Sequence, residues 1–280
     1  MIENAKYPMP VNIVVAHGLE AKALITILGL ERDQASSEFM EYSNSTMLRL
    51  IVSGMGKEAI AAAVSYLGKR QALEGAEIRA WLNIGIAGHR DAPIGSAWLG
   101  NKITDKGSGT SAYPPQLIEG FQVGSVVTVE EPETLYPLTA AYEMEASAFY
   151  AEATKYSTAE LVQVFKVISD NLENPISEID LQTIPDLIAA QAPQIISLIN
   201  GMSEIAVGHN SSQQLPSCYH EICSKIHLTV SQQLLLKRLC QRYKALGLED
   251  ELRRVTDLNA SSARQLIQQL TECIDRISEI

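Results

Sequence analysis

Cysteine is missing from the first 217 of the 280 residues: Cys218, Cys223, Cys240 and Cys273 all lie in the last 63. That excludes a disulfide framework for most of the chain. Long hydrophobic runs are also missing, and none approaches the roughly 18 to 20 apolar residues of a membrane-spanning helix. Positive charge is scarce. The 22 Lys and Arg against 33 Asp and Glu leave a formal charge of -11, which argues against broad binding to nucleic acid, where cations neutralising phosphate supply most of the nonspecific affinity. Met1 to Pro8 has none of the basic, apolar and small-residue pattern of a secretory leader. The expectation is a soluble cytoplasmic protein with reduced cysteines.

What is present is ordinary globular composition, 46% hydrophobic and 20% charged, enough for one large domain and a small appendage. Apolar, β-branched runs alternate with helical periodicity, the pattern of βαβ units around a parallel or mixed sheet. Strands are expected at Val11 to Ala16, Met47 to Val52, Trp81 to Ile84, Ser125 to Val129 and within Leu161 to Ile168. Helices are expected at Ala21 to Leu28, Lys57 to Leu67 and Asp186 to Met202. Each strand runs into glycine or acidic residues, and the carboxyl edge of an open α/β sheet is where ligands bind. The polar stretch His209 to Ser217 reads as a linker. The domains are then 1–208, a linker at 209–217, and a helical module at 218–280. That module has helices near Tyr219 to Ile226, Ser231 to Leu246 and Ser261 to Ile277, with Thr229 or Ser231 and Asn259 or Ser261 as N-caps.

Gly54-Met55-Gly56-Lys57-Glu58-Ala59 follows a strand and opens a helix, formally fitting a dinucleotide fingerprint. The next strand ends in Gly85 rather than the acidic residue that would hold a ribose. What survives is a small-residue turn presenting backbone N–H groups, or simply a tight turn. Asp170, directly after a buried strand, is held rigidly and partly desolvated, which suits a proton donor; its plainer reading is an N-cap for the following turn. Glu145 sits among small residues in Tyr142 to Ala148, read as a helix, where it either accepts vicinal hydroxyls or faces solvent. Glu20 either activates water or complements the dipole of the first helix.

Taken together and in order, Glu20, Ser53-Gly54-Met55-Gly56-Lys57, Asn83-Ile84-Gly85-Ile86-Ala87-Gly88, Ile94-Gly95 leading to Asp105, Met144-Glu145-Ala146 and Val167-Ile168-Ser169-Asp170 resemble the superfamily of nucleoside phosphorylases and methylthioadenosine/S-adenosylhomocysteine nucleosidases. The resemblance implies a three-layer α/β/α fold with a central mixed sheet, followed here by a small all-α module. It implies N-glycosidic cleavage of a purine nucleoside, an adenosine-derived thionucleoside being favoured. Glu145 and Met144 would bind the ribose, Asp170 would protonate or hydrogen-bond the departing base, and Glu20 would orient the attacking water. Ser53, Gly54, Gly56, Ile86, Ala87, Gly88 and Ser169 would line the pocket.

Phosphorolysis needs cations around phosphate, and the first and third strand loops carry no arginine. Arg90, just beyond, is the one exception to weigh, so hydrolysis is favoured over phosphorolysis. Two departures from the resemblance matter. Ile86 stands where nucleosidases commonly have serine. The span from Asp105 to Met144 is short and lacks the usual stacking aromatic, leaving the base pocket open, rebuilt by Tyr113-Pro114-Pro115 or Phe121, or completed by a neighbouring subunit. The alternative is therefore a non-catalytic nucleoside-binding protein on the same fold.

A homo-oligomer, a dimer first, is expected, with no cofactor and no metal. The Cys218-Tyr219-His220-Glu221-Ile222-Cys223 stretch with His227 does not have finger spacing and reads as a short helix with buried cysteines. Lys237, Arg238, Arg242, Lys244, Arg253, Arg254 and Arg264 enrich the module in positive charge, as a solvated face or a contact for a protein or nucleic-acid partner.

Overall fold

The computed structural model of the chain describes residues 8–34, 38–73, 77–257 and 262–278. Two compact units divide the chain, Met1–Val207 and Gly208–Ile280. The first is built on a ten-stranded mixed sheet. Its strands are β1 (Val11–Val15), β2 (Glu31–Arg32), β3 (Met40–Ser43), β4 (Arg49–Val52), β5 (Ala80–Gly88), β6 (Ala97–Asp105), β7 (Ser111–Ala112), β8 (Val123–Thr128), β9 (Ala141–Glu143) and β10 (Val162–Asp170). β5, β1 and β4 run parallel side by side. β5, β9, β8, β6 and β10 then close on themselves, because β10 pairs both β6 and β5.

The central strands form where the chain is apolar on both faces. Every residue of β1 and of β10 is buried, as a strand covered by helices on both sides requires. One layer consists of α1 (Gly18–Leu28), α4 (Ile184–Ala190) and α5 (Ala192–Gln213), whose Leu24, Leu28, Ile188 and Leu198 share a core with Val11, Ile13 and Phe165. The opposite layer is α2 (Lys57–Leu73) and α3 (Ala146–Ala153), where Ile60, Val64 and Phe149 pack on Val14, Trp81 and Val164. Full burial of each such large side chain contributes about 1.5–3 kcal/mol. This is the three-layer α/β/α architecture with a central mixed sheet.

Several local expectations change. Tyr142 to Ala148 is not one helix: β9 ends at Glu143, and Glu145 is the N-cap position of α3, with φ -131° and ψ -35°, outside both the helical and the extended regions. The helix expected at Asp186 to Met202 is two, α4 and α5, broken at Gln191. β6, a nine-residue strand contacting β7, β8 and β10, was not expected.

The second unit is all helical: α6 (Cys218–Lys225), α7 (Val230–Ala245), α8 (Glu249–Asp257) and α9 (Ala263–Ser278). Leu236, Leu239, Cys240, Tyr243, Leu252, Leu266, Leu270 and Ile274 form its core. Thr229 caps α7 in a reciprocal box with Gln232, while Asn259 and Ser261 lie outside the described residues. α8, which was not expected, is short and opens on three acidic residues. The stretch read as a linker is helical as far as Gln213.

Candidate active site

At the carboxyl edges of β1, β4, β5 and β10 the chain leaves a cavity of about 320 Å³, also bordered by residues that follow β8 and β9. Glu20 reaches it because α1 begins immediately after β1. His17 caps that helix, its Nδ1 accepting from the Leu19 N–H, and Glu20 closes the reciprocal half of the box. Glu20 Oε2 accepts from the backbone N–H of Ala16 and of His17, both at 2.9 Å, and Oε1 accepts from that of Ile86 at 3.1 Å. A carboxylate offers about four acceptor positions, so one remains on Oε1.

Glu145 arrives from the start of α3. Its Oε1 accepts from the Gly56 N–H at 2.8 Å, which explains the glycine turn: Gly54 and Gly56 hold φ of 90° and 94°, open to glycine and strained for other residues. The amino-terminal end of α3 is satisfied instead by Glu143, whose Oε2 accepts from the N–H of Glu145 and Ala146. Burial drives the Glu145 carboxyl above its ordinary range, and the Lys166 ammonium only partly offsets this.

Lys166 stands in the middle of β10, 1% exposed, and pairs with Glu143 at 3.0 Å. Burial opposes its charge, but Glu143, Glu145 and Glu20 around it prevail and hold it above the ordinary lysine range. A lone lysine within a buried strand had to find carboxylates. The charge of Lys166 within the apolar run Leu161 to Ile168 is the sequence signal for this cluster.

Asp170 ends β10, its Oδ1 accepting from Ser169 Oγ at 2.6 Å and its Oδ2 from the Tyr136 hydroxyl. Met144, Ile86, Ala87, Gly88 and Ser169 line the cavity together with Glu20, Glu145 and Asp170. Ser53, Gly54 and Gly56 do not, although Met55 between them does. Ser53 Oγ is turned into its own loop, donating to the carbonyls of Val15 and Gly54.

Arg90 is engaged elsewhere, donating to the carbonyls of Tyr136 (2.9 Å) and Pro137 (3.1 Å). Lys57 is bound between Asp105 (2.9 Å) and Glu130; those contacts raise the lysine, Glu130 foremost, and the Ser108 N–H and Lys57 hold Asp105 down at about 2. Nor is the base end rebuilt by Tyr113 or Phe121: Tyr113 is exposed, and Phe121 packs edge-on against Phe165 at 6.4 Å. Neither lines the cavity, whereas Val129, Pro132, Glu133 and Tyr142 do.

No family model matches the sequence, and no curated protein matches it. Solved structures do match. A 5'-methylthioadenosine nucleosidase from Arabidopsis thaliana superposes at a TM-score of 0.56 with 16% identity, covering 69% of this chain and 97% of its own. A methylthioadenosine/S-adenosylhomocysteine nucleosidase from Colwellia psychrerythraea, in complex with adenine, gives 0.52 and 20%, covering 70% and 96%. The futalosine hydrolase of Helicobacter pylori gives 0.55 and 13%, covering 68% and 97%. The first unit therefore has the nucleosidase fold.

Proposed function

We propose that the first unit hydrolyses the N-glycosidic bond of a purine nucleoside. The observation that carries this reading is the cavity lining itself: Glu20, Glu145 and Asp170 converge on one space, and no lysine or arginine is among its lining residues. In this reading Glu145 accepts hydrogen bonds from the ribose hydroxyls, backed by Met144. Asp170 hydrogen-bonds or protonates the departing base, which leaves poorly as an anion. As the glycosidic C–N bond breaks, the sugar becomes cationic, and nearby carboxylates stabilise that charge. Water bound at the remaining acceptor position of Glu20 adds to the anomeric carbon and gives its proton to that carboxylate.

Water is favoured over phosphate because the cations around the site are already committed, Arg90 to backbone carbonyls and Lys57, Lys106 and Lys166 to carboxylates. The rest of the lining, including Leu19, Met55, Ile176, Leu181 and Ile184, suits an apolar 5' substituent. That and the nucleosidase fold support an adenosine-derived thionucleoside. The test is a panel of nucleosides incubated with and without phosphate and read by chromatography for free base. Base release from 5'-methylthioadenosine at the same rate in both conditions is expected, and Asp170→Asn should reduce it by about a hundredfold or more, the usual range for a general acid. Turnover only with phosphate would replace hydrolysis by phosphorolysis, and full activity in Asp170→Asn would remove Asp170 from the mechanism.

A further inference from the structure

We propose that Tyr136 is a positioning residue for Asp170 and that Arg90 acts on the same carboxylate through it; the proposal rests on the reading that places the base at Asp170, and only its activity arm needs hydrolysis. Asp170 lines the cavity and Tyr136 does not, so the phenol works on the carboxylate from behind. With the Ser169 hydroxyl on Oδ1 and the Tyr136 hydroxyl on Oδ2, the carboxylate plane is fixed, and each oxygen keeps an acceptor position for a base. Burial and the Asp170 charge hold the phenol above its ordinary range, so it remains a donor.

The contact is built by separate features of the chain. Tyr136 is one of two non-glycine residues with positive φ among those described, at 42°, a conformation that persists only where its surroundings over-determine it. Here they do. The ring is 1% exposed, packed with Val127, Val129 and Ala140 and 5.7 Å from the Tyr142 ring. Arg90 clamps the carbonyls of residues 136 and 137, and the Leu138 N–H donates to the Tyr142 hydroxyl at 2.9 Å. Strand β5 leaves room by placing Gly88 there: a Cβ would lie 2.4 Å from Asp170 Oδ2 and 2.6 Å from Tyr136 Cε1. The short segment before Met144 thus supplies an aromatic residue after all, directed at the acid rather than at the base. Displacing a reacting group by an ångström lowers rates by as much as a hundredfold, so a fixed Asp170 has a kinetic role.

The experiment uses the full chain, with adenine binding read by calorimetry and base release from 5'-methylthioadenosine by chromatography. Tyr136→Phe keeps the ring and removes the donor. It should weaken adenine binding and slow base release by about tenfold each, the effect of one hydrogen bond to a charged group. In an Asp170→Asn background the same change should alter adenine binding less than about twofold, because a bond acting through Asp170 has nothing left to position. Arg90→Ala, at an exposed residue, should act in the same direction as Tyr136→Phe without touching the ring. Unchanged binding in Tyr136→Phe, or an equal loss in both backgrounds, overturns the proposal and leaves Tyr136 a packing residue. Wild-type protein that binds adenine but releases no base overturns the nucleosidase reading alone, and the binding cycle still decides the role of Tyr136. Protein that neither binds nor cleaves overturns both.

Discussion

At the scale of the residue, the site is a problem of buried charge. Glu20, Glu143, Glu145 and Lys166 are all buried, and one ammonium faces three carboxylates. The surplus shows in Glu145, raised by burial and by its acidic neighbours. Ribose hydroxyls donate to the ionised carboxylate, so nucleoside affinity should fall as pH drops through that raised value, earlier than an ordinary glutamate would require. Stability should move the other way. A carboxyl raised in the folded state is protonated more readily there than in the unfolded chain, so its contribution is full below the unfolded value and is lost as pH rises through the folded one. Glu145→Gln should flatten both dependences. Calorimetric titrations and denaturant midpoints between pH 4 and 8 check this, and an affinity independent of pH over that range would remove Glu145 from ribose binding.

At the scale of the element, β5 decides what can approach the sheet edge. Gly85 and Gly88 leave space that other atoms use: a Cβ at 85 would lie 2.8 Å from Glu20 Oε1 and 3.2 Å from Lys166 Nζ, and one at 88 would meet Asp170 and Tyr136. Gly88→Ala must therefore move the carboxylate or the phenol. It should cost about 1–3 kcal/mol as overpacking does and should abolish adenine binding; the readouts are denaturant midpoint and calorimetry. Unchanged binding would mean that neither group serves the base.

The same strand shows what the sequence discloses. β1, β4, β5, β8 and β10 were legible because apolar, β-branched runs need no knowledge of partners. β6 was not, since Gly100, Asn101 and Lys102 interrupt it and its pairing with β7, β8 and β10 is set by distant residues. Glu145 was legible as a cavity residue through its motif, but not as an N-cap, because a three-residue β9 is too short to carry a period. Tyr136 had no local signal at all; its position depends on a positive φ and on Arg90, 46 residues away.

At the scale of the whole molecule, charge and core separate along the chain. Residues 208–280 carry nine Lys and Arg against eight Asp and Glu, whereas residues 1–207 carry 13 against 25. The acidic unit holds a cavity lined by carboxylates, and both features disfavour anionic ligands. The cavity lining extends no further than Ile184, and the hydrophobic cores of that unit end at Ala206, while the helical unit has a core of its own. Everything the proposed chemistry uses is thus encoded before α5 ends at Gln213. A chain ending at residue 213, which keeps that helix whole, should bind adenine within about twofold of the full chain, because sites without shared partners are energetically independent. Calorimetry on the two forms measures it. A loss beyond about tenfold in a folded fragment would show that the helical unit contributes to the site.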